Sequence, residues 1–120
     1  MTSVTIYHNP ACGTSRKTLA LIRDSGIEPS VIHYLDQPPS RAQLKEMLNA
    51  LGLRARDLLR SKEALYRQWG LEDAQLSEED LIEAMLKAPI LMNRPIVVTP
   101  IGTRLCRPAE TVLEILPLPR

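Results

Sequence analysis

The first 35 residues carry the pattern that most constrains the fold of this chain. Residues 3–8 (SVTIYH) are rich in β-formers and are followed by an Asn-Pro step, which interrupts extended pairing. A helix is predicted next, capped by the hydroxyl of Thr14 or Ser15 and ended by Gly26. A second strand follows at residues 30–35 (SVIHYL). Because a strand-helix-strand unit favours a parallel pair with a right-handed crossover, an α/β sheet is expected.

The middle of the chain, at about residues 40–88, predicts only helices. Ser40 with Gln43, and Ser77 with Asp80, have the spacing of a capping box ahead of apolar residues at helical intervals. One or two short helices are expected between these two, with the following side chains turned inward: Leu58, Leu59, Leu65, Tyr66 and Trp69.

The last quarter of the chain returns to strands. Residues 96–99 and 103–106 flank a Pro-Ile-Gly turn and predict a hairpin. A final helix is expected to begin with Pro108 and to place Val112, Leu113 and Leu116 on one face. The predicted order is β-α-β, a helical insert, then β-β-α, in a single domain spanning residues 1–120.

Composition argues against several classes of protein. Fifteen Lys plus Arg against fourteen Asp plus Glu leave a formal net charge of +1, so no nucleic-acid partner is expected. Cys12 and Cys106 lack the spacing of a disulfide framework or a zinc site, so no metal is expected and a reducing cytoplasm fits best. Neither a signal peptide nor a run of roughly 20 apolar residues is present, so no membrane contact is expected. The near-neutral charge is compatible with a monomer.

Cys12 stands where the first turn meets the first predicted helix. A cysteine in this position is close to the positive end of the helix dipole and to free backbone N–H groups, which lower a thiol pKa. Gly13 lets the backbone approach a ligand closely, and Thr14 and Ser15 add hydroxyl groups. Arg16 brings a positive charge into the first turn. This set is suited to holding a tetrahedral oxyanion against the sulfur.

Two interpretations of Cys12 stay open at this point, because free cysteine is also among the most commonly buried residues and Arg16 would then be a solvated charge. His8 is either a cation that helps to hold the thiolate or a hydrogen-bonded residue at a strand end. Two related mechanisms are excluded by single residues. A phosphatase-type anion loop needs an arginine six positions after the cysteine, but that position is Thr18. A dithiol mechanism needs a second cysteine at position 15, but that position is Ser15. A mechanism with one thiol remains.

Four segments spread over nearly the whole chain resemble a known family. They are HNPACGTSRKTL (8–19), LLRSKEALY (58–66), LMNRPIVV (91–98) and RLCRP (104–108), in the family order and at family-like intervals. The sequence resembles the glutaredoxin-dependent arsenate reductases, the ArsC-type family. The resemblance implies an α/β, thioredoxin-like fold with a helical insert, and an oxidoreductase that serves arsenical resistance.

The resemblance also implies roles for individual residues. Cys12 would be the nucleophile, and Arg60, Arg94 and Arg107 would bind the oxyanion. Arginine suits this role because its planar fork matches an oxyanion and stays charged. Since thioredoxin-like folds have a cis-proline beside the active cysteine, Pro95 is predicted to be cis, bringing Arg94 near Cys12.

The implied mechanism needs no bound cofactor, with arsenate as substrate and glutathione as co-substrate. The Cys12 thiolate attacks arsenate, glutathione completes the two-electron reduction to arsenite, and glutaredoxin resolves the mixed disulfide.

Cys106 is expected to be a small residue at a strand end. The alternative is that Cys106 takes the place of an external thiol and forms an internal disulfide with Cys12. A purely structural or binding module would leave the grouping of Cys, Gly and hydroxyl residues at a helix start unexplained.

Two alternative functions are considered beside arsenate reduction. One is a transcription regulator of the Spx type that binds RNA polymerase, and Ser15 argues against it because it removes the Cys-x-x-Cys switch. The other is a reductase of another oxyanion or thiol substrate, which the arginine set disfavours.

Overall fold

The structure is a computed structural model that describes residues 3–117. Residues 1–2 and 118–120, which the predicted domain includes, lie outside the described residues. The chain divides into two compact units, of which the first combines Met1–Gln37 with Arg94–Arg120 and the second is Pro38–Asn93. The second unit contains the whole of the predicted helical insert.

The first unit contains a four-stranded mixed sheet among its described residues. Strands β1 and β2 pair in parallel, β1 and β3 antiparallel, and β3 and β4 antiparallel, which gives the spatial order β2-β1-β3-β4. The predicted parallel crossover and the predicted hairpin are therefore confirmed. Each strand is shorter than expected, with these bounds: β1 Thr5–His8, β2 Ser30–His33, β3 Ile96–Val98 and β4 Thr103–Leu105.

Helix α1 (Gly13–Asp24) joins β1 to β2 and begins earlier than predicted. Cys12 is itself the N-cap, with an extended backbone and no side-chain capping bond, so neither Thr14 nor Ser15 caps the helix. Gly26 follows the helix with φ of 88°, the left-handed conformation that ends many helices. The sulfur of Cys12 thus stands at the point where the backbone turns into the helix.

The core of the first unit gathers apolar side chains from the sheet, from α1 and from the C-terminal segment. Ile6 of β1 lies opposite Val97 of β3, and both are fully buried. Burial of each aliphatic side chain of this size stabilises the fold by about 1.5–3 kcal/mol. The buried members of this core are Val4, Ile6, Ile22, Val97, Cys106, Val112 and Ile115.

The C-terminal segment Ala109–Glu114 is a 3₁₀-helix with Pro108 as its N-cap, whereas the sequence predicted a helix that begins with Pro108 and presents one apolar face. Val112 and Ile115 are fully buried, and Leu116 packs against the same core. Leu113 is 55% exposed, so the prediction that it shares one face with Val112 and Leu116 is wrong. The reason is geometric, because three residues make one turn of a 3₁₀-helix and positions three apart therefore share a face.

The second unit is helical within its described residues. Both predicted capping boxes are present, with Ser40 bonded reciprocally to Gln43 and Ser77 to Asp80. Its α-helices and single 3₁₀-helix are α2 (Arg41–Leu51), α3 (Ala55–Leu58), α4 (Ala64–Gln68), α5 (Glu78–Lys87) and Pro89–Leu91. No helix within residues 3–117 has the length and apolar character needed to cross a membrane.

The short helices between α2 and α5 were predicted to turn five side chains inward. Leu58 and Leu59 are buried, and Leu65 and Tyr66 are half-buried. Trp69 is 44% exposed, so the prediction for this residue is wrong. It follows α4, a helix of five residues with no fully buried side chain, which is too short to present a continuous apolar face.

Candidate active site

The loop that carries Cys12 is shaped by Asn9, a residue that the sequence analysis did not single out. Asn9 is buried, its carbonyl accepts from the Cys12 N–H at 3.0 Å, and its Oδ1 accepts from the Ala11 N–H at 3.0 Å. The Asn-Pro step marked a turn, but it gave no sign that the asparagine side chain would hold that turn. These bonds fix the path of the backbone from the end of β1 to the sulfur.

Four hydrogen-bond donors face the sulfur of Cys12, which is half-buried. Burial is the largest single effect on the pKa of this thiol and raises it. The backbone N–H groups of Ser15 and Thr14 and the side chains of Arg94 and Arg107 stabilise the thiolate, and together they bring the pKa below its usual value. The nucleophilic interpretation of Cys12 is the one that this environment favours, because the thiolate is the reactive form.

Sheet register explains why Arg94 and Arg107 approach Cys12. Tyr7 near the end of β1 lies opposite Ile96 at the start of β3, so the residues just before β3 reach the beginning of the Cys12 loop. Ile96 in turn lies opposite the last residue of β4, which places Arg107 beside Arg94. The Arg107 Nη1 lies 3.8 Å from the Cys12 sulfur and donates to the Arg94 carbonyl at 2.9 Å.

The two arginines differ in exposure. Arg94 is only 8% exposed, whereas Arg107 is exposed to solvent. The peptide bond between Arg94 and Pro95 is cis, which confirms that prediction, and the bond between Arg107 and Pro108 is cis as well. A buried and an exposed guanidinium thus converge on one sulfur.

Arg60, the third predicted oxyanion ligand, belongs to the second unit. Its backbone N–H donates to the Leu91 carbonyl at 2.8 Å, and its Nη1 donates to the Asn93 Oδ1 at 3.5 Å. Its Nε is buried and has no hydrogen-bond partner among the described residues. The role of Arg60 toward an oxyanion stays a prediction.

His8 and Ser15 form a buried pair at the end of β1. The His8 Nδ1 lies 2.6 Å from the Ser15 Oγ, which also accepts from the Asn9 N–H at 3.1 Å. Burial, followed by the nearby His33, Arg23 and Arg16, lowers the pKa of His8. The imidazole is therefore neutral near pH 7, and of its two interpretations these contacts favour the hydrogen-bonded one.

Gly13, Thr14 and Arg16 complete the loop. A Cβ at Gly13 would meet only the Arg16 Nη2 at an ordinary 3.7 Å, so packing does not require glycine there. The Thr14 carbonyl accepts from the Thr18 Oγ1 at 2.8 Å. Arg16 is exposed, and its Nη1 donates to the Pro10 carbonyl at 2.9 Å.

Cys106 has the opposite environment to Cys12. It is fully buried in the core of the first unit, and burial raises its pKa to about 12. Its thiol lies 3.7 Å from the Arg104 carbonyl, which accepts its weak hydrogen bond. The structure therefore favours the reading of Cys106 as a packed residue over the reading as a resolving thiol.

The arrangement in the first unit can bind a tetrahedral anion and attack it. Backbone N–H groups and two guanidinium groups converge where a thiolate is stabilised, and these are the donors that oxyanions require. In the part of the chain that the structure describes, no three His, Cys, Asp or Glu side chains are grouped to hold a metal.

Comparison with known proteins identifies the family of the chain and its fold. The model of the ArsC family matches residues 7–115. The chain is 60% identical over 115 residues to the arsenate reductase of Rhizobium meliloti (strain 1021), covering 96% of this chain and 82% of that protein. It is 56% identical over 117 residues to the arsenate reductase of Escherichia coli (strain K12), covering 98% and 83%. A solved structure of an arsenate reductase from Vibrio cholerae matches with a TM-score of 0.92 at 50% identity, covering 96% of this chain and 98% of that one. The predicted thioredoxin-like α/β fold is confirmed.

Proposed function

The chain belongs to the ArsC family, and we propose that it is an arsenate reductase with Cys12 as its nucleophile. The observation that carries the proposal is the convergence of Arg94, Arg107 and two backbone N–H groups on a sulfur whose pKa is lowered. The names of relatives at 56–60% identity support arsenate as the substrate. The protein is then an oxidoreductase.

Substrate binding uses the donors around Cys12. The arsenate oxygens accept from the N–H groups at the start of α1 and from the guanidinium groups of Arg94 and Arg107. Arg60 is proposed as a further ligand of the oxyanion, and this assignment rests on the resemblance of the segment LLRSKEALY (58–66) to the family.

The first chemical step forms a bond between sulfur and arsenic. The Cys12 thiolate attacks As(V), an arsenate oxygen takes up protons, and water leaves, so that a thiol-arsenate adduct remains. The positive charges of Arg94 and Arg107 offset the negative charge that gathers on the oxygens during attack. Arsenic is still As(V) at this stage.

Reduction requires a second thiol. Glutathione attacks the adduct, an S–S bond to Cys12 forms, and the electron pair of the S–As bond stays on arsenic, which is released as arsenite. A thiol of glutaredoxin then exchanges with the mixed disulfide and restores the Cys12 thiolate. Phosphate has the same shape as arsenate, but thiols do not reduce it, so selectivity can arise in the chemical step.

The test is a coupled assay of NADPH consumption with arsenate, glutathione, glutaredoxin and glutathione reductase. We expect activity in the natural chain and in Cys106→Ala, and none in Cys12→Ser. When glutaredoxin is left out, mass spectrometry should find one glutathione on Cys12. Full activity of Cys12→Ser would refute the mechanism, and a Cys12–Cys106 disulfide after turnover would refute the role of glutathione.

A further inference from the structure

The exposed lysines and arginines among the described residues of the first unit fall into two groups. Those of one group are ion-paired with carboxylates at 2.6–3.6 Å, in the pairs Lys17–Glu110, Arg23–Glu28 and Arg104–Glu114. Arg16 and Arg107 form the other group, since neither makes an ion pair with an acidic side chain anywhere in residues 3–117. Arg107 reaches the Cys12 sulfur at 3.8 Å, and the backbone N–H of Arg16 donates to the Cys12 carbonyl at 3.0 Å. Among the described residues of this unit, the exposed arginines without an acidic partner therefore both belong to the surroundings of the Cys12 loop.

Arg107 already has a role at the sulfur, but Arg16 does not. The donors that lower the pKa of Cys12 are Ser15, Arg94, Arg107 and Thr14. Arg16 instead lies against the loop, because its Nη1 donates to the Pro10 carbonyl and its Nη2 lies 3.7 Å from the Cβ position of Gly13. Its guanidinium is therefore held close to the reactive residue without touching the reacting atom.

The guanidinium of Arg16 retains free hydrogen-bonding capacity. A guanidinium carries five N–H donors, and in the described residues only one bond of the Arg16 side chain is made, to Pro10. The side chain is exposed, so the other donors are accessible to a ligand that approaches from solvent. A planar fork of this kind prefers a carboxylate, which it binds through two parallel hydrogen bonds.

We propose that Arg16 binds a carboxylate of the thiol that reacts at Cys12, and thereby selects the anionic thiol glutathione over neutral thiols. The inference rests on the proposed function for its place in the cycle, since glutathione is the second thiol there. Arg16 is the residue for this task because arsenate already uses the donors around the sulfur. The guanidinium of Arg16, held against the Cys12 loop at Pro10 and Gly13, is left for a group that arrives with the second thiol.

The experiment uses a reaction that does not involve arsenate. When oxidised glutathione meets the Cys12 thiolate, an S–S bond forms between Cys12 and one glutathione, and the other glutathione leaves as a thiolate. The rate of this exchange is measured by mass spectrometry and compared with the rate for hydroxyethyl disulfide, which has no charge. Cys12→Ser provides the blank.

We expect Arg16→Ala to slow the reaction with oxidised glutathione about tenfold, and the reaction with hydroxyethyl disulfide less than about twofold. Arg16→Lys should retain part of the preference, because lysine keeps the charge but loses the fork. Lys17→Ala is the matched control, since it removes the same charge from the next residue of α1 and that charge is already paired with Glu110. It should change either rate by less than about twofold.

The outcomes separate this inference from the proposed function. Equal slowing with both disulfides would mean that Arg16 acts on the loop or the thiolate, and would overturn the inference. An unchanged rate of Arg16→Ala with oxidised glutathione would overturn it as well. A natural chain that fails to reduce arsenate would contradict the proposed function, while the exchange rates would still decide the role of Arg16. In a working arsenate assay, Arg16→Ala should raise the KM for glutathione and not the KM for arsenate.

Discussion

Replacing Arg107 with alanine removes one of the two guanidinium groups that stabilise the Cys12 thiolate. The Arg107 Nη1 lies 3.8 Å from the sulfur. At about 4 Å, opposite unit charges attract each other by about 1 kcal/mol in bulk water and by about 4 kcal/mol at an effective dielectric constant of about 20. Because Arg107 is exposed and Cys12 half-buried, the lower end applies, and a loss of about 1.4 kcal/mol corresponds to about a tenfold smaller thiolate fraction.

The assay is the rate at which iodoacetamide alkylates Cys12, followed from mildly acidic to alkaline pH. Removing the cation raises the pKa of the thiol, so Arg107→Ala should react about tenfold more slowly at acidic pH, and the two rates should converge at alkaline pH where both thiols are ionised. Arg107→Lys, which keeps the charge, should lie between the two. Superimposable pH profiles of Arg107→Ala and the natural chain would refute this account of the thiolate.

Three further outcomes are expected. Arg94→Ala should lower the kcat/KM for arsenate by about 100-fold, because it removes a donor to the sulfur and the oxyanion, and comparable losses of melting temperature and activity would show that the residue is structural. The free energy of unfolding should fall as pH drops below about 6.5, because the pKa of His8 is lowered in the folded state and the unfolded state therefore binds the proton more readily. Urea titrations should find a smaller fall in His8→Asn, which has no imidazole to protonate. Under native conditions a thiol reagent should modify Cys12 and spare Cys106, with equal labelling of both contradicting the burial of Cys106.

Elements whose cause is local were predictable from the sequence. The capping boxes at Ser40 and Ser77 satisfy backbone N–H groups with side chains three residues away, so the pattern and the structure share one cause. The hairpin of β3 and β4 is local in the same sense, because a short turn brings the two strands together. For such elements neighbouring residues carry all the information.

Predictions failed where packing or competing backbone bonds decide. The apolar residues of Ala109–Glu114 fit an α-helical face, but the segment closes into a 3₁₀-helix and leaves Leu113 exposed. At the start of α1 the sequence offered two hydroxyl residues as caps, whereas the bonds of Asn9 fix the turn so that Cys12 takes the capping position. Neither outcome follows from the residue types alone.

For this protein the sequence by itself determined the local elements and the cysteine loop, because capping, turn formation and helical periodicity act over a few residues. Only the tertiary structure decided that the pKa of the Cys12 thiol is lowered. Arg107 is 95 residues from Cys12 along the chain, and it reaches the sulfur because antiparallel pairing aligns the start of β3 with the end of β1 and the end of β4 with the start of β3. The pKa of a thiol depends on the distance to charges in space, and that distance is set by the order of strands in the sheet.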